Sequence, residues 1–225
     1  MALYAIGDLH LSFGTQKPMD VFGELWNKHY EKIEFNWNDK IKKEDIVLIP
    51  GDISWGMKLS EALPDLDFVH KLNGKKIFIK GNHDYWWGSI TKLNSLYNDM
   101  YFIQNTCSGY QDYGICGTRG WISINGEEQD EKIYKRELLR LKMSLDLAIK
   151  NEYKKIIVMM HYPPVTKISK SIEFLDLLSN YPVEKLIYGH VHNDSKEICI
   201  NGIYRNIEYI CVSCDIINFN PVRIL

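Results

Sequence analysis

Short unbroken apolar runs alternate along this chain with longer amphipathic stretches. Leu3-Tyr4-Ala5-Ile6, Ile46-Val47-Leu48-Ile49, Ile77-Phe78-Ile79, Tyr101-Phe102-Ile103, Ile156-Ile157-Val158-Met159-Met160 and Leu186-Ile187-Tyr188 are rich in β-branched and aromatic residues and predict strands. Over residues 19–41, Val21, Phe22, Leu25, Trp26, His29, Tyr30 and Ile33 recur at three and four residues and predict one amphipathic helix, with His29 a partly exposed structural histidine. Further helices are predicted over 60–72, stopped by Asn73-Gly74, over 89–97, and over 171–178. The clearest helix runs over 128–151, with Ile133, Leu138, Leu141, Leu145 and Ala148 on one face. Between 106 and 124, glycines at 109, 114, 117 and 120 break the pattern into short pieces that suggest antiparallel strands or a hairpin. A second hairpin is predicted with its turn at Asn201-Gly202, followed by a strand over 208–216.

Strands alternating with helices predict an α/β fold, and no repeat, low-complexity tract or linker divides residues 1–225, so one domain is expected. A chain of 225 residues with 45% apolar and 25% charged residues can build a sizeable core. Its net charge of −2 lacks the basic excess of a nonspecific nucleic-acid binder, so no nucleic-acid partner is expected. No apolar run reaches the length of a membrane span. The start, Met1-Ala2-Leu3-Tyr4-Ala5-Ile6, has no basic leader and enters a strand directly, which predicts a cytoplasmic protein. Five cysteines, mostly in apolar runs, fit buried reduced thiols, and Cys211 and Cys214 form a CxxC with no second pair at zinc-site spacing.

The chemistry sits where the strands end. Gly81-Asn82-His83-Asp84 follows the third run directly, placing an amide, an imidazole and a carboxylate just beyond a turn. Four more runs end alike: the first in Asp8 and His10, the second in Gly51-Asp52, and two later ones in His161 and in Gly189-His190-Val191-His192. Singly, each has a plainer reading: Asp52 as a turn residue, Asn82 as a helix cap, the paired histidines as chance. Together, at one edge of a sheet, they would crowd carboxylates and imidazoles whose mutual repulsion and desolvation a divalent cation relieves.

In order and spacing, Asp8-x-His10, Gly51-Asp52, Gly81-Asn82-His83-Asp84, His161 and Gly189-His190-x-His192 resemble the calcineurin-like metallophosphoesterases, and in particular small bacterial phosphohydrolases of that superfamily. The resemblance implies a four-layer αββα sandwich of two mixed β-sheets flanked by helices. It also implies a binuclear centre, with Asp8, His10, Asp52 and His192 at one metal. Asp52 would bridge to a second metal held also by Asn82, His161 and His190. His83 would be a proton donor beside the substrate, with Asp84 orienting it or fixing its loop. Two such cations would lower the pKa of a water between them and neutralise charge on the phosphoryl oxygens. Oxygen and imidazole donors suit Mn, Fe, Zn or Ni.

The expected activity is hydrolysis of a small-molecule phosphomonoester or phosphodiester; the alternatives are a nuclease of the same superfamily and a noncatalytic metal-binding scaffold. The phosphate-clamping arginines of the family's protein phosphatases are missing from 51–56 and 84–87, which argues against a protein substrate. Arg119 is the candidate replacement, the alternative being an ordinary salt-bridged arginine. Trp55, Tyr85, Trp86 and Trp87 are candidates for walls of the cleft, or for core.

Overall fold

The computed structural model describes residues 1–122 and 128–225. Two sheets lie face to face. The first has the order β11-β1-β2-β3-β4, from β1 (Leu3–Ala5), β2 (Ile46–Ile49), β3 (Lys75–Phe78), β4 (Met100–Phe102) and β11 (Val222–Arg223). β1 to β4 run parallel and β11 closes the edge antiparallel. The second has the order β5-β6-β7-β8-β10-β9, from β5 (Ser108–Tyr110), β6 (Tyr113–Thr118), β7 (Lys155–Met160), β8 (Val183–Tyr188), β9 (Gly202–Tyr204) and β10 (Ile207–Cys211). Its four central strands are parallel, with antiparallel β5 and β9 at the edges.

The unbroken apolar runs follow from burial on both faces. In β2, Leu48 joins Leu3, Ala5 and Ile77 against Ile157, Met159 and Ile187 of the opposite sheet. Val47 and Ile49 face outward into a core with Ile33 and Trp37 of α1 (His29–Lys40) and Leu66 and Val69 of α2 (Leu59–Lys71). On the far side, Ile156 and Val158 meet Leu141 and Leu145 of α4 (Glu128–Lys150) and Phe174 of α5 (Ile172–Ser179). Three apolar layers thus separate four structural ones, the αββα sandwich.

Four expectations are corrected. The helix over 19–41 is two 3₁₀ turns, Met19–Phe22 and Glu24–Trp26, followed by α1. Gly23 (φ 115°) and Lys28 (φ 48°) break it, because Met19 and Trp26 turn into the core while Val21, Phe22 and Leu25 are left exposed. His29 is buried rather than partly exposed, its Nε2 3.0 Å from the Leu9 carbonyl. The late hairpin turns at Arg205-Asn206, both at positive φ as a two-residue turn requires, and joins β9 to β10. Asn201 instead accepts the Cys211 N–H on its side chain at 2.8 Å. The short helix at 89–97 shrinks to α3 (Ile90–Leu93). The glycine-broken stretch holds the hairpin β5–β6, and its end at Ile124 lies outside the described residues.

The two sheets are stitched together where their strands end. Gly7, just past β1, donates to the Val212 carbonyl at 2.7 Å and accepts from Cys214 N–H at 3.0 Å, so the end of β1 continues as a parallel bridge to the chain beyond β10. That seam brings the carboxyl ends of both sheets to one edge. No helix among the described residues is long and apolar enough to cross a membrane.

Candidate metal centre

Each donor reaches the seam because the backbone bends sharply after its strand. Asp8, His10, Asp52 and His190 have φ of 55°, 45°, 54° and 69°, left-handed conformations that cost energy for non-glycine residues and persist only where neighbours hold them. Here they are held: Asp8 N–H donates to Gly51 O, His10 N–H to Asp52 O and His190 N–H to Asp8 Oδ1, each at 3.0 Å. Gly81 lets the third loop close over the second, since a β-carbon there would overlap the Asp52 carboxylate and N–H.

The side chains gather into two adjoining groups. In one, Asp8, His10 and His192 bring ligand atoms within 4.8 Å of one another; His10 Nε2 lies 3.4 Å from His192 Nε2. In the other, Asn82 Oδ1 lies 2.6 Å from His161 Nε2 and 3.1 Å from His190 Nδ1. Asp52 spans the two: its Oδ2 is 3.8 Å from His10 Nε2 and 3.4 Å from His161 Nε2.

Proton positions show what this arrangement can accept. His161 Nδ1 faces the Pro50 carbonyl at 3.0 Å, an acceptor only, so that nitrogen carries the proton. Its Nε2 therefore turns a lone pair toward Asn82 Oδ1 and the Asp52 carboxylate, three electron-rich atoms converging on one point. A cation fits there. Burial pushes the same way, lowering His161 to about 3 and His190 to about 2 and holding His10 well below its ordinary range, so all three are neutral imidazoles, the ligating form. Burial lifts Asp8 to about 8 and Asp52 to about 6. His192 goes the other way: burial opposes its charge, but the Asp215 hydrogen bond and the charges of Asp8, Asp215 and Asp52 raise it to about 9. That pull is the attraction an anionic cage exerts on any cation.

Other predicted residues fall on either side of this edge. The half-buried His83 stands beside the centre, its ring 5.7 Å from that of His10 and 4.3 Å from that of Trp55, and its backbone N–H donates to Asp52 Oδ1 at 2.8 Å. Asp84 is fully buried and accepts N–H groups from Asp52, Ile53 and Gly81 and the Trp86 indole, at 2.8–3.1 Å. None of these contacts is to the His83 ring, so Asp84 ties the second and third loops together. Trp55 stacks on His10 at 5.0 Å, whereas Trp86 and Trp87 pack into the outer core and Tyr85 is exposed. Arg119 pairs with the buried Glu137 at 3.7 Å and lies over the Trp121 ring, on the His161 side of the centre.

The sequence reading missed Asp215 and Tyr162; Trp26, there placed on the apolar face of a helix over 19–41, also joins the site. His192 Nδ1–H donates to Asp215 Oδ1 at 3.1 Å, Trp26 sets its ring edge-on to His10 and His192, and the Tyr162 ring is 4.1 Å from that of His190. Asp215 did carry a signal: it too follows an apolar run, β10 and Val212, but the predicted strand over 208–216 ran through it.

A two-sheet sandwich with carboxylate, amide and imidazole donors at its shared strand ends defines a class of metal-dependent hydrolases. The chain belongs to the calcineurin-like phosphoesterase family, whose sequence model matches residues 1–194. Over 127 residues it is 29% identical to an uncharacterized protein of Methanocaldococcus jannaschii, MJ1445; the match takes in 53% of this chain and 65%, just under two thirds, of that protein. Among solved structures, the fold is similar to that of AQ665, a protein of unknown function from Aquifex aeolicus (TM-score 0.53, 17% identity, covering 99% of this chain and 95% of that one). It is also similar to that of the phosphopantetheinyl hydrolase PptH from Mycobacterium tuberculosis (TM-score 0.51, 14% identity, covering 94% and 89%). At such identities the likeness concerns the fold.

Proposed function

We propose that this chain is a binuclear metal-dependent phosphohydrolase acting on a phosphomonoester or phosphodiester of a small molecule. The observation that carries the reading is the placement of Asp52 Oδ2 between His10 Nε2 and His161 Nε2, within 4 Å of both. Asp8, His10, Asp52 and His192 would hold one divalent cation, and Asp52, Asn82, His161 and His190 the other, drawn from Mn, Fe, Zn or Ni. Bound there, the cations would supply Lewis acidity, neutralising phosphoryl charge and lowering the pKa of a water.

The protein's own groups do the rest. Asp215 holds the proton of His192 on Nδ1 and the Pro50 carbonyl that of His161, so that Nε2 of each faces the centre. His83 delivers a proton to the departing oxygen; burial lowers its pKa while the Asp52 charge raises it, and an arriving phosphate adds negative charge in the same upward direction. Asp84 keeps the His83 loop against that of Asp52. Arg119 adds positive potential on the His161 side, where its charge already lowers that imidazole's pKa. Free, buried thiols at all five cysteines support a reducing, cytoplasmic setting.

The test is to strip the protein of metal, restore Mn, Fe(II), Zn or Ni in turn, and assay aryl phosphate mono- and diesters beside DNA and RNA. Hydrolysis of an aryl ester is expected with at least one metal. Faster cleavage of nucleic acid would reassign the chain to the nucleases, and no hydrolysis with any metal would leave a binding scaffold.

A further inference from the structure

Beside the metal centre, on the side of His10, His83 and His192, lies a cavity of about 310 Å³. Its outer wall comes from the two 3₁₀ turns that replaced the expected long helix: Met19, Phe22, Leu25 and Trp26, with Trp55 opposite. This wall is largely apolar. The Trp55 indole N–H is already spent on the Met19 thioether at 3.1 Å. Phe22 and Leu25 stand 65% and 37% exposed at the mouth, large apolar surfaces that water covers only at a cost. Its polar lining beyond the imidazoles is Asn193, Asp194 on the exposed rim, and Asp215, whose carboxylate is occupied by His192 and the Asn193 N–H. Lys17 lies over the Trp55 ring at 4.8 Å but does not line the space.

The position of His83 connects this cavity to the reaction. A proton donor must stand next to the oxygen that departs, and His83 is part of the cavity's floor. The leaving group therefore points into this space while the phosphoryl group stays on the donors at the strand ends. Among the described residues no lysine or arginine lines the space to hold a second phosphate or a carboxylate, and five of the eleven lining residues, Met19, Phe22, Leu25, Trp26 and Trp55, are apolar or aromatic. We infer that the leaving group is an uncharged, apolar body, alkyl or aryl, joined directly to the ester oxygen and seated against Met19, Phe22, Leu25, Trp26 and Trp55. The inference rests on the phosphohydrolase reading and adds the class of substrate.

Non-hydrolysable phosphonates test it without turnover. Binding of methyl- through hexylphosphonate, and of phenylphosphonate, is measured by calorimetry on the metal-loaded protein. Affinity is expected to rise roughly fourfold per methylene until the cavity is filled. Stronger binding of phenyl- than hexylphosphonate at equal carbon number assigns an aromatic leaving group, and the reverse an aliphatic one. In the double variant Phe22→Ser, Leu25→Asp the series should lose its slope; both side chains are exposed, so folding and metal content report the same protein. Affinity independent of chain length, or an unchanged slope in the variant, overturns the inference. If aryl esters are hydrolysed yet the series is flat, only the inference falls. If long phosphonates bind tightly but no ester is cleaved, the phosphohydrolase reading falls and the apolar subsite stands.

Discussion

His192 donates from Nδ1 to Asp215, a carboxylate only 2% exposed, and this bond crosses from the loop after β8 to the loop after β10. It sets which nitrogen of His192 faces the metal centre and keeps a negative charge behind the ring. Removing the carboxylate in Asp215→Ala should weaken metal binding on the His10–His192 side by about 10- to 100-fold. Equilibrium dialysis with Mn or Zn would show this as loss of one site before the other. Equal affinity at both sites would mean that Asp215 only anchors Asn193, whose N–H it also accepts at 2.8 Å.

His83 and Asp52 should separate cleanly. His83→Ala is expected to keep its metal content and lose about 10²- to 10⁴-fold in kcat, the usual range for a missing acid catalyst. Asp52→Ala removes the atom between His10 and His161 and should lose metal and activity together. Full activity in Asp52→Ala, measured beside metal content, would remove its bridging role.

Gly81 tests the closeness of the loops. A β-carbon there overlaps Asp52 with no room to yield, because the obstacle includes the backbone N–H that Asp84 holds at 2.9 Å. Gly81→Ala is expected to disable metal binding while the far-ultraviolet circular dichroism stays native-like. A variant that binds metal normally would show that the second and third loops have more play than their hydrogen bonds suggest.

The stability of the metal-free protein should fall as pH rises from 6.5 to 9. His192, raised to about 9, stabilises the fold fully below its unfolded value of 6.5 and loses that contribution as it deprotonates. Asp8, raised to about 8, holds its proton more tightly folded than unfolded, so its contribution also declines with rising pH. The lowered histidines, His10, His161 and His190, act in the opposite sense, but only below 6.5, where the unfolded chain takes up protons. Added metal competes with those protons and should stabilise more strongly toward pH 8.5. Thermal melts in chelator and in saturating Mn at pH 6.5, 7.5 and 8.5 decide the matter, and a Tm in chelator that rises with pH would contradict it.

Away from the centre, Lys76 is a buried cation on β3 whose Nζ donates to Asp99 and to the Leu72 carbonyl, each at 2.6 Å. Asp99→Ala leaves that charge without its counter-ion and should destabilise the fold by about 3 kcal/mol, whereas Lys76→Met should cost little. The sign with pH follows from Asp99: burial would raise its pKa, but hydrogen bonds from Lys76 and His70 lower it overall. The pair's contribution is therefore present above about pH 4 and disappears as acid protonates Asp99 below that. Urea denaturation of the two variants at pH 7 measures the difference.

Much of this molecule was legible in its sequence because parallel strands buried on both faces must be apolar throughout. A donor placed directly after such a run, as at Asp8, Asp52, Asn82, His161 and His190, stands out, and the predicted strands β2 and β7 lie within a residue of those observed. The same local signal could not separate wall from core among the tryptophans. Trp55, Trp86 and Trp87 all follow loops that carry the candidate donors, yet only Trp55 stacks against the imidazoles while the other two fill the outer core.

The chain's own pattern determined the layered α/β organisation, the strand ends and the chemical character of the donors, since each depends on neighbours within a few residues. Tertiary structure alone decided the left-handed turns at Asp8, His10, Asp52 and His190, the support of His192 by Asp215, and the breaking of 19–41 into a cavity wall. Each of these is held by partners far away in the chain. A three- and four-residue period marks an apolar face, but what that face meets is settled only when Met19 and Trp26 find the core that other segments have built.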